Sequence, residues 1–126
     1  MNETVREWLD KANGDLRTAR REFDTKEAPT YDAVCYHCQQ SVEKAMKAVL
    51  IHNAVAPPYV HDLLCLDELL RETCPSWTCD VEDLRLLTHG GIAFRYPGES
   101  ATHDHASQAL DACIRLRDLL DKFVET

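Results

Sequence analysis

The stretch from Thr30 to Asn53 constrains the fold more than any other, because it combines helical periodicity with very little charge. It contains neither Gly nor Pro and carries four charged residues in all. Its apolar side chains recur at the i, i+3, i+4, i+7 spacing of one helix face. Further apolar residues, Ala48 and Ile51, widen that face, which is typical of a helix covered on more than one side. We therefore predict a central helix over 30–53, with Thr30 as its N-cap.

The rest of the chain shows the same period in shorter segments, with no alternating pattern that predicts a strand. Short connections between the segments favour antiparallel neighbours. The prediction is one domain over 1–126, an all-α, up-and-down bundle of four long helices and one short helix. Because Gly90-Gly91 can cap a helix, two end positions are possible for the fourth helix: it stops at His89 or continues to Phe94. The other predicted segments are Glu3–Phe23, His61–Thr73, a helix that begins at Asp80, and His103–Val124.

Charge and hydropathy exclude some classes of function. The net charge of −8 argues against broad binding to nucleic-acid phosphates, which requires a basic surface, although a small basic pocket stays open. No run of apolar residues is long enough to cross a membrane. The first residues lack the basic and apolar regions of a secretory signal, so we expect a cytoplasmic protein.

Six cysteines are expected to be reduced thiols in that compartment. Two pairs, Cys35 with Cys38 and Cys74 with Cys79, have spacings that raise the question of a zinc site. The first pair falls inside the predicted central helix, whereas the usual zinc CxxC lies on a turn. We therefore expect no metal and no other cofactor.

Four segments together resemble one known family. WLDKANGDLRTA lies in the first helix, YHCQQSVEKAMKAVL in the second, PPYVHDL follows, and FRYPG precedes the last helix. In this order they are similar to the HEPN domain over nearly the whole chain. The resemblance implies an all-helical bundle, commonly a homodimer. It also implies a minimal nucleotidyltransferase as partner in a toxin–antitoxin-type pair, and binding of nucleotide or RNA.

Some members of that family are metal-independent ribonucleases that use an Arg, four to six further residues and then a His. Here seven residues separate Arg95 from His103 and nine separate it from His105, while three separate Arg85 from His89. The RYP form resembles the branch without the nuclease pair, for which the implied role is non-catalytic binding. Two alternatives stay open: a ribonuclease with a stretched Arg95…His103 motif, and a purely structural oligomerisation module.

The turn after the fourth helix carries the first candidate site. The planar guanidinium of Arg95 suits a phosphate, because it can donate two parallel hydrogen bonds. Tyr96 can stack on a base or donate its hydroxyl. The structural alternative is that Arg95 pairs with a carboxylate on a neighbouring helix while Pro97-Gly98 makes the turn.

A polar stripe on the central helix is the second candidate. His37, Gln40 and Lys44 recur at helical spacing, with Glu43 and Lys47 beside them. Such a stripe on an apolar helix faces solvent, a cleft or a partner. The alternative is an ordinary solvated face in which Glu43 pairs with Lys47 four residues later.

Histidines at two helix starts complete the candidates. His61 could contact a ligand, although Asp62 beside it is a good N-cap. His103 and His105 flank Asp104, and such a group could transfer protons or form a polar first turn in solvent.

Overall fold

The computed structural model describes residues 1–125, which form five α-helices and no strand, as predicted. In chain order these are α1 (Glu3–Phe23), α2 (Tyr31–His52), α3 (Leu63–Thr73), α4 (Val81–Ala93) and α5 (His103–Asp121).

Helix α2 is the centre of the bundle. It packs against α1, α3, α4 and α5, and 13 of its 22 residues are buried. Two small residues of α2, Ala45 and Ala48, are completely buried and let the surrounding helices approach. The prediction of a central helix is confirmed.

Side-chain caps set most helix starts. Asn2, Asp62, Asp80 and Thr102 each accept a hydrogen bond from a backbone N–H in the first turn of the helix that follows. Helix α3 therefore begins after Asp62 and not at His61. Helix α5 ends at Asp121, three residues before the predicted end.

Thr30 occupies the N-cap position of α2, but its side chain makes no capping hydrogen bond. Its backbone N–H donates to the carboxylate of Glu22 at 2.8 Å. Asp32, in the first turn, accepts a hydrogen bond at 2.6 Å from the backbone N–H of Ala101. The start of α2 is thus held by contacts with α1 and with the segment before α5.

Helix α4 continues through both glycines to Ala93, which decides between the two predicted ends. A Cβ at Gly91 would lie 2.8 Å from Cγ of Gln39, and one at Gly90 would lie 3.4 Å from Cβ of Cys35. The glycines therefore allow close packing of α4 on α2, and they do not end the helix.

The cysteines lie in or beside the core. Burial, together with a smaller effect of the nearby Asp32 carboxylate, raises the pKa of the Cys35 thiol to about 11. The neighbouring Cys113 thiol on α5, together with burial, raises the pKa of Cys38. Within residues 1–125, no three side chains of His, Cys, Asp or Glu gather as a metal site would require. None of the described helices has the length and apolarity needed to cross a bilayer.

Candidate functional site

A small cleft opens where α2, the end of α4 and the segment before α3 meet. Its volume is about 130 Å³. We call it the Arg95 cleft, and it is lined by Tyr36, Gln39, Gln40, His61, Gly91, Ile92 and Arg95. Three separate parts of the chain thus contribute to one concave surface, and three of the predicted site residues line it: Gln40, His61 and Arg95.

Arg95 follows α4 and lies over an aromatic ring. Its guanidinium carbon is 5.4 Å from the centroid of Tyr36, a cation–π contact between α4 and α2. No carboxylate of residues 1–125 lies within ion-pair distance of Arg95. The predicted alternative, in which Arg95 pairs with a carboxylate on a neighbouring helix, is therefore wrong for residues 1–125.

The turn after Arg95 has the geometry that its sequence predicts. Gly98 has φ of +114°, a conformation that side-chain-bearing residues rarely adopt, and nothing lies within 4 Å of where a Cβ would be. Tyr96, in the same turn, is 65% exposed. Its ring is therefore available to a ligand or to a partner.

A second opening is also lined by Arg95 and Tyr36. Its volume is about 270 Å³, and Asp32, Ala33 and Phe94 line it together with Arg95 and Tyr36. The guanidinium therefore borders two adjoining concave surfaces.

A chain of amide hydrogen bonds forms the wall of the Arg95 cleft. Gln40 Nε2 donates to Gln39 Oε1 at 2.8 Å. Gln39 Nε2 in turn donates to Glu43 Oε1 at 3.0 Å and to the carbonyl oxygen of His61 at 2.9 Å. The segment before α3 is thereby fixed to α2.

Glu43 is the centre of this network, with its side chain 5% exposed. Its Oε1 lies 3.0 Å from His61 Nδ1, and its Oε2 lies 3.2 Å from Lys47 Nζ. Lys47 is also buried and lies 5.9 Å from the ring centroid of Trp8. The ion pair between Glu43 and Lys47 was predicted as part of one alternative, and it is present. That alternative placed the pair on a face exposed to solvent, which is wrong, because both side chains are buried. We call Gln39, Glu43, Lys47 and His61 the Glu43 cluster.

The tautomer of His61 follows from these contacts. An ionised carboxylate can only accept hydrogen bonds, so Nδ1 must carry the proton that it donates to Glu43. The Nε2 atom of a neutral ring then holds a lone pair. The His61 side chain is 77% exposed and lines the cleft.

The predicted stripe on α2 divides between two neighbours. His37 Nδ1 and Lys44 Nζ lie 2.8 Å and 2.7 Å from the two carboxylate oxygens of Asp15 on α1. We call these three residues the Asp15 clamp. Of the stripe, Gln40 lines the Arg95 cleft, whereas the structure does not bring His37 or Lys44 into it.

The histidines at the start of α5 have other contacts. The His103 ring lies 4.9 Å from Phe23 and 5.5 Å from Tyr31, measured between ring centroids. His105 accepts a hydrogen bond from the backbone N–H of Thr102 at 3.1 Å and stacks on Phe94. Neither ring lines either of the two openings beside Arg95.

The sequence analysis did not select four residues that line the cleft: Tyr36 and Gln39 on α2, and Gly91 and Ile92 on α4. Tyr36 and Gln39 lie next to predicted residues, and the pair of glutamines in CQQS was the signal for Gln39. A larger apolar cavity of about 430 Å³ between α4 and α5 was also unforeseen. Cys35 and Phe94 line it, with His89 and Arg85 at its polar edge.

Comparisons with known proteins agree with this architecture. The model of the HEPN domain matches residues 5–123. TT1696 from Thermus thermophilus superimposes with a TM-score of 0.81 at 23% identity, covering 98% of this chain and 100% of that one. ST0689, an archaeal HEPN homologue, superimposes with a TM-score of 0.71 at 20% identity, covering 99% and 100%. No curated protein is significantly similar in sequence. Because the family model spans almost the whole chain, the protein belongs to the HEPN domain family.

Proposed function

We propose that this HEPN domain binds a phosphate-bearing ligand, a nucleotide or a nucleotide-bearing partner, in the Arg95 cleft. One observation carries the proposal. The guanidinium of Arg95 lies on the face of Tyr36 beside a concave surface, and no carboxylate of residues 1–125 lies within ion-pair distance of it. An arginine held by stacking keeps its hydrogen-bond donors for a ligand, and phosphate oxygens fit its planar fork.

The surroundings of Arg95 suit the rest of a nucleotide. The cleft of about 130 Å³ is small, so it suits a phosphate group better than a whole nucleotide. The adjoining opening of about 270 Å³ and the exposed ring of Tyr96 offer room and a stacking surface for a base. Gln40, at the edge of the cleft, adds an amide group that can exchange hydrogen bonds with a base or sugar.

Assembly is part of the same proposal. Family membership supports a homodimer and a minimal nucleotidyltransferase as partner in a toxin–antitoxin-type pair. The net charge of −8 favours a protein partner with a basic surface over long RNA. Static light scattering is expected to give twice the monomer mass at micromolar concentration. A monomer mass would contradict the proposed dimer, whereas the proposal of ligand binding in the Arg95 cleft would not be affected.

Calorimetric titration with ATP, AMP and inorganic phosphate tests the binding site. Arg95→Gln is expected to weaken nucleotide binding by roughly 10-fold or more, because a charge-assisted hydrogen bond is worth about 1.5–3 kcal/mol. Arg85→Gln is the matched control, since Arg85 lies on α4, the helix that Arg95 follows, but pairs with Glu82. Equal affinity in wild type and Arg95→Gln would place the ligand elsewhere.

Two alternatives predict different results. A ribonuclease built on Arg95 and His103 predicts metal-free RNA cleavage that His103→Gln abolishes, yet His103 packs against Phe23 and Tyr31. A purely structural module predicts a stable dimer that binds none of the three titrants.

A further inference from the structure

The apolar cavity between α4 and α5 is a second concave site, and it shares no lining residue with the Arg95 cleft. Its volume is about 430 Å³. Pockets that hold small organic ligands have volumes of about 300–1,000 Å³ and a mostly apolar lining with a few polar groups. We propose that this cavity binds a neutral, planar aromatic compound that carries a hydroxyl group.

Buried residues form the floor of the cavity. Cys35, Leu87, Gly90 and Ala109 line it and are all buried. A Cβ at Gly90 would lie 3.4 Å from Cβ of Cys35 and 3.9 Å from Cε2 of Phe94. The absence of a side chain at this position therefore leaves space between α4 and α2. An apolar ligand is stabilised there because its surface is removed from water.

Aromatic rings form one wall of the cavity. The ring of Phe94 stacks on His105, with 5.1 Å between the ring centroids and an interplanar angle of 28°. The ring of His89 meets Phe94 edge-on, at 5.9 Å and 83°. Aromatic rings prefer offset-stacked or edge-to-face contacts with further rings. A planar aromatic ligand therefore fits this wall better than a branched aliphatic one.

Two residues that line the cavity supply a donor and an acceptor. His105 Nδ1 accepts a hydrogen bond from the backbone N–H of Thr102 at 3.1 Å, so the proton of the neutral ring is on Nε2. Gln108 Nε2 donates to Asp104 at 3.0 Å, which leaves Gln108 Oε1 as an acceptor. A hydroxyl group donates one hydrogen bond and accepts another. The hydroxyl of the ligand thus accepts from His105 and donates to Gln108.

The charges around the cavity favour a neutral ligand. Glu82 and Arg85 line it and pair with each other, so together they contribute no net charge. Asp104 lies beside Gln108, and the chain as a whole carries a net charge of −8. An anionic ligand would lose hydration on entering an apolar cavity and would gain no unpaired cation in return.

Titration with 2-naphthol, which has two fused rings and one hydroxyl, tests the proposal. Amide NMR spectra of the wild type are expected to show saturable shifts at residues of α4 and α5. Leu86 lines the cavity and is half-buried, so Leu86→Trp is expected to weaken binding roughly 10-fold or more, because the larger side chain fills the space. Leu119→Trp is the matched control, since Leu119 is half-buried on α5 and does not line the cavity. It is expected to bind 2-naphthol as the wild type does.

The role of the hydroxyl group is tested separately. Naphthalene has the same rings without the hydroxyl and is expected to bind the wild type roughly 3- to 10-fold more weakly, because its hydrogen bonds are lost. His105→Phe keeps a ring against Phe94 and removes the donor, so it should weaken the binding of 2-naphthol and leave that of naphthalene unchanged. If this variant fails to fold, the comparison of the two compounds in the wild type still tests the hydroxyl.

Three results would overturn the proposal. The first is the absence of saturable 2-naphthol binding at millimolar concentration. The second is equal affinity in the wild type and in Leu86→Trp, which would place the compound outside the cavity. The third is tighter binding of 2-naphthoate than of 2-naphthol, which would show that the site prefers an anion. Neither Arg95 nor Tyr36 lines this cavity, so a failure of nucleotide binding in the Arg95 cleft would not count against it.

Discussion

The Asp15 clamp and the Glu43 cluster use the same helix in opposite ways. In each, a carboxylate pairs with a histidine and a lysine. Asp15 belongs to α1, and its two partners on α2 are about a quarter exposed, so the clamp joins two helices at the surface. Glu43 lies inside, and its lysine is buried with it, whereas its histidine extends outward.

This difference separates a structural contact from a candidate site. All three members of the clamp have partners in one another, which leaves little for a ligand to bind. The Glu43 cluster satisfies its buried charges and still leaves one face of the His61 ring exposed next to Arg95. The polar residues of α2 therefore acquire their roles from the segment that packs against them.

The largest effect is expected from Glu43→Ala. It would leave the Lys47 ammonium, 8% exposed, without its partner, and breaking a buried pair costs about 3–5 kcal/mol of unfolding free energy. Urea denaturation measures the loss. The control is Glu82→Ala, which removes an exposed ion pair with Arg85 and is expected to cost less than about 1 kcal/mol. Similar losses in both variants would mean that Glu43 is not a buried charge.

Gly91→Ala tests the packing that forms the wall of the Arg95 cleft. The new Cβ would lie 2.8 Å from Cγ of Gln39, so that side chain or α4 must shift, at a cost of about 1–3 kcal/mol. We also expect weaker nucleotide binding, because Gln39 holds His61. In the control, Gly14→Ala on α1, the Cβ meets only the end of the Arg17 side chain at 3.8 Å. That variant is expected to gain roughly 0.5–1 kcal/mol, and a loss there would show that helix packing dominates at both positions.

Asp15→Ala breaks the clamp in the same way that Glu43→Ala breaks the cluster. Because His37 and Lys44 are partly exposed and can be hydrated, the expected loss is about 1 kcal/mol by urea denaturation. Nucleotide affinity should stay within twofold of wild type in calorimetry. A large loss of affinity would extend the site to the α1 side of α2 and remove the contrast between the two clusters.

The smallest effect at neutral pH is expected from Cys35→Ala, since the residue belongs to neither cluster. Its pKa is raised by burial from 9.0 to about 11, so the folded state keeps a proton that the unfolded chain loses. Stability linked to this thiol is present below pH 9 and is lost as the pH rises from 9 toward 11, on the order of 1 kcal/mol per pH unit. Urea denaturation at pH 8 and pH 10.5 measures the effect: the free energy of unfolding should fall less between these pH values in Cys35→Ala than in the wild type. Equal losses would mean that the thiol ionises as easily in the folded state as in the unfolded chain.

The helices and the family could be predicted from the sequence because both depend on local patterns. The spacing of apolar residues in 30–53 predicts α2 and its central place, and Asp62 and Asp80 are recognisable caps. The apolar face of a helix can be recognised before its partners are known. Arg95 and His61 could likewise be selected as candidates by residue type and by the resemblance.

The tertiary structure decided how the polar residues are distributed. His37 and Lys44 meet a carboxylate on α1 that lies 22 and 29 residues away in the chain, while Glu43 meets a histidine 18 residues further on. Helical spacing places all of them on or near one stripe, and it contains no information about which neighbour covers each side. The sequence by itself determined that α2 would be buried and would carry charge. Only the packing of distant segments decided which of those charges join helices and which border a cleft, because burial and pairing are properties of contacts between helices.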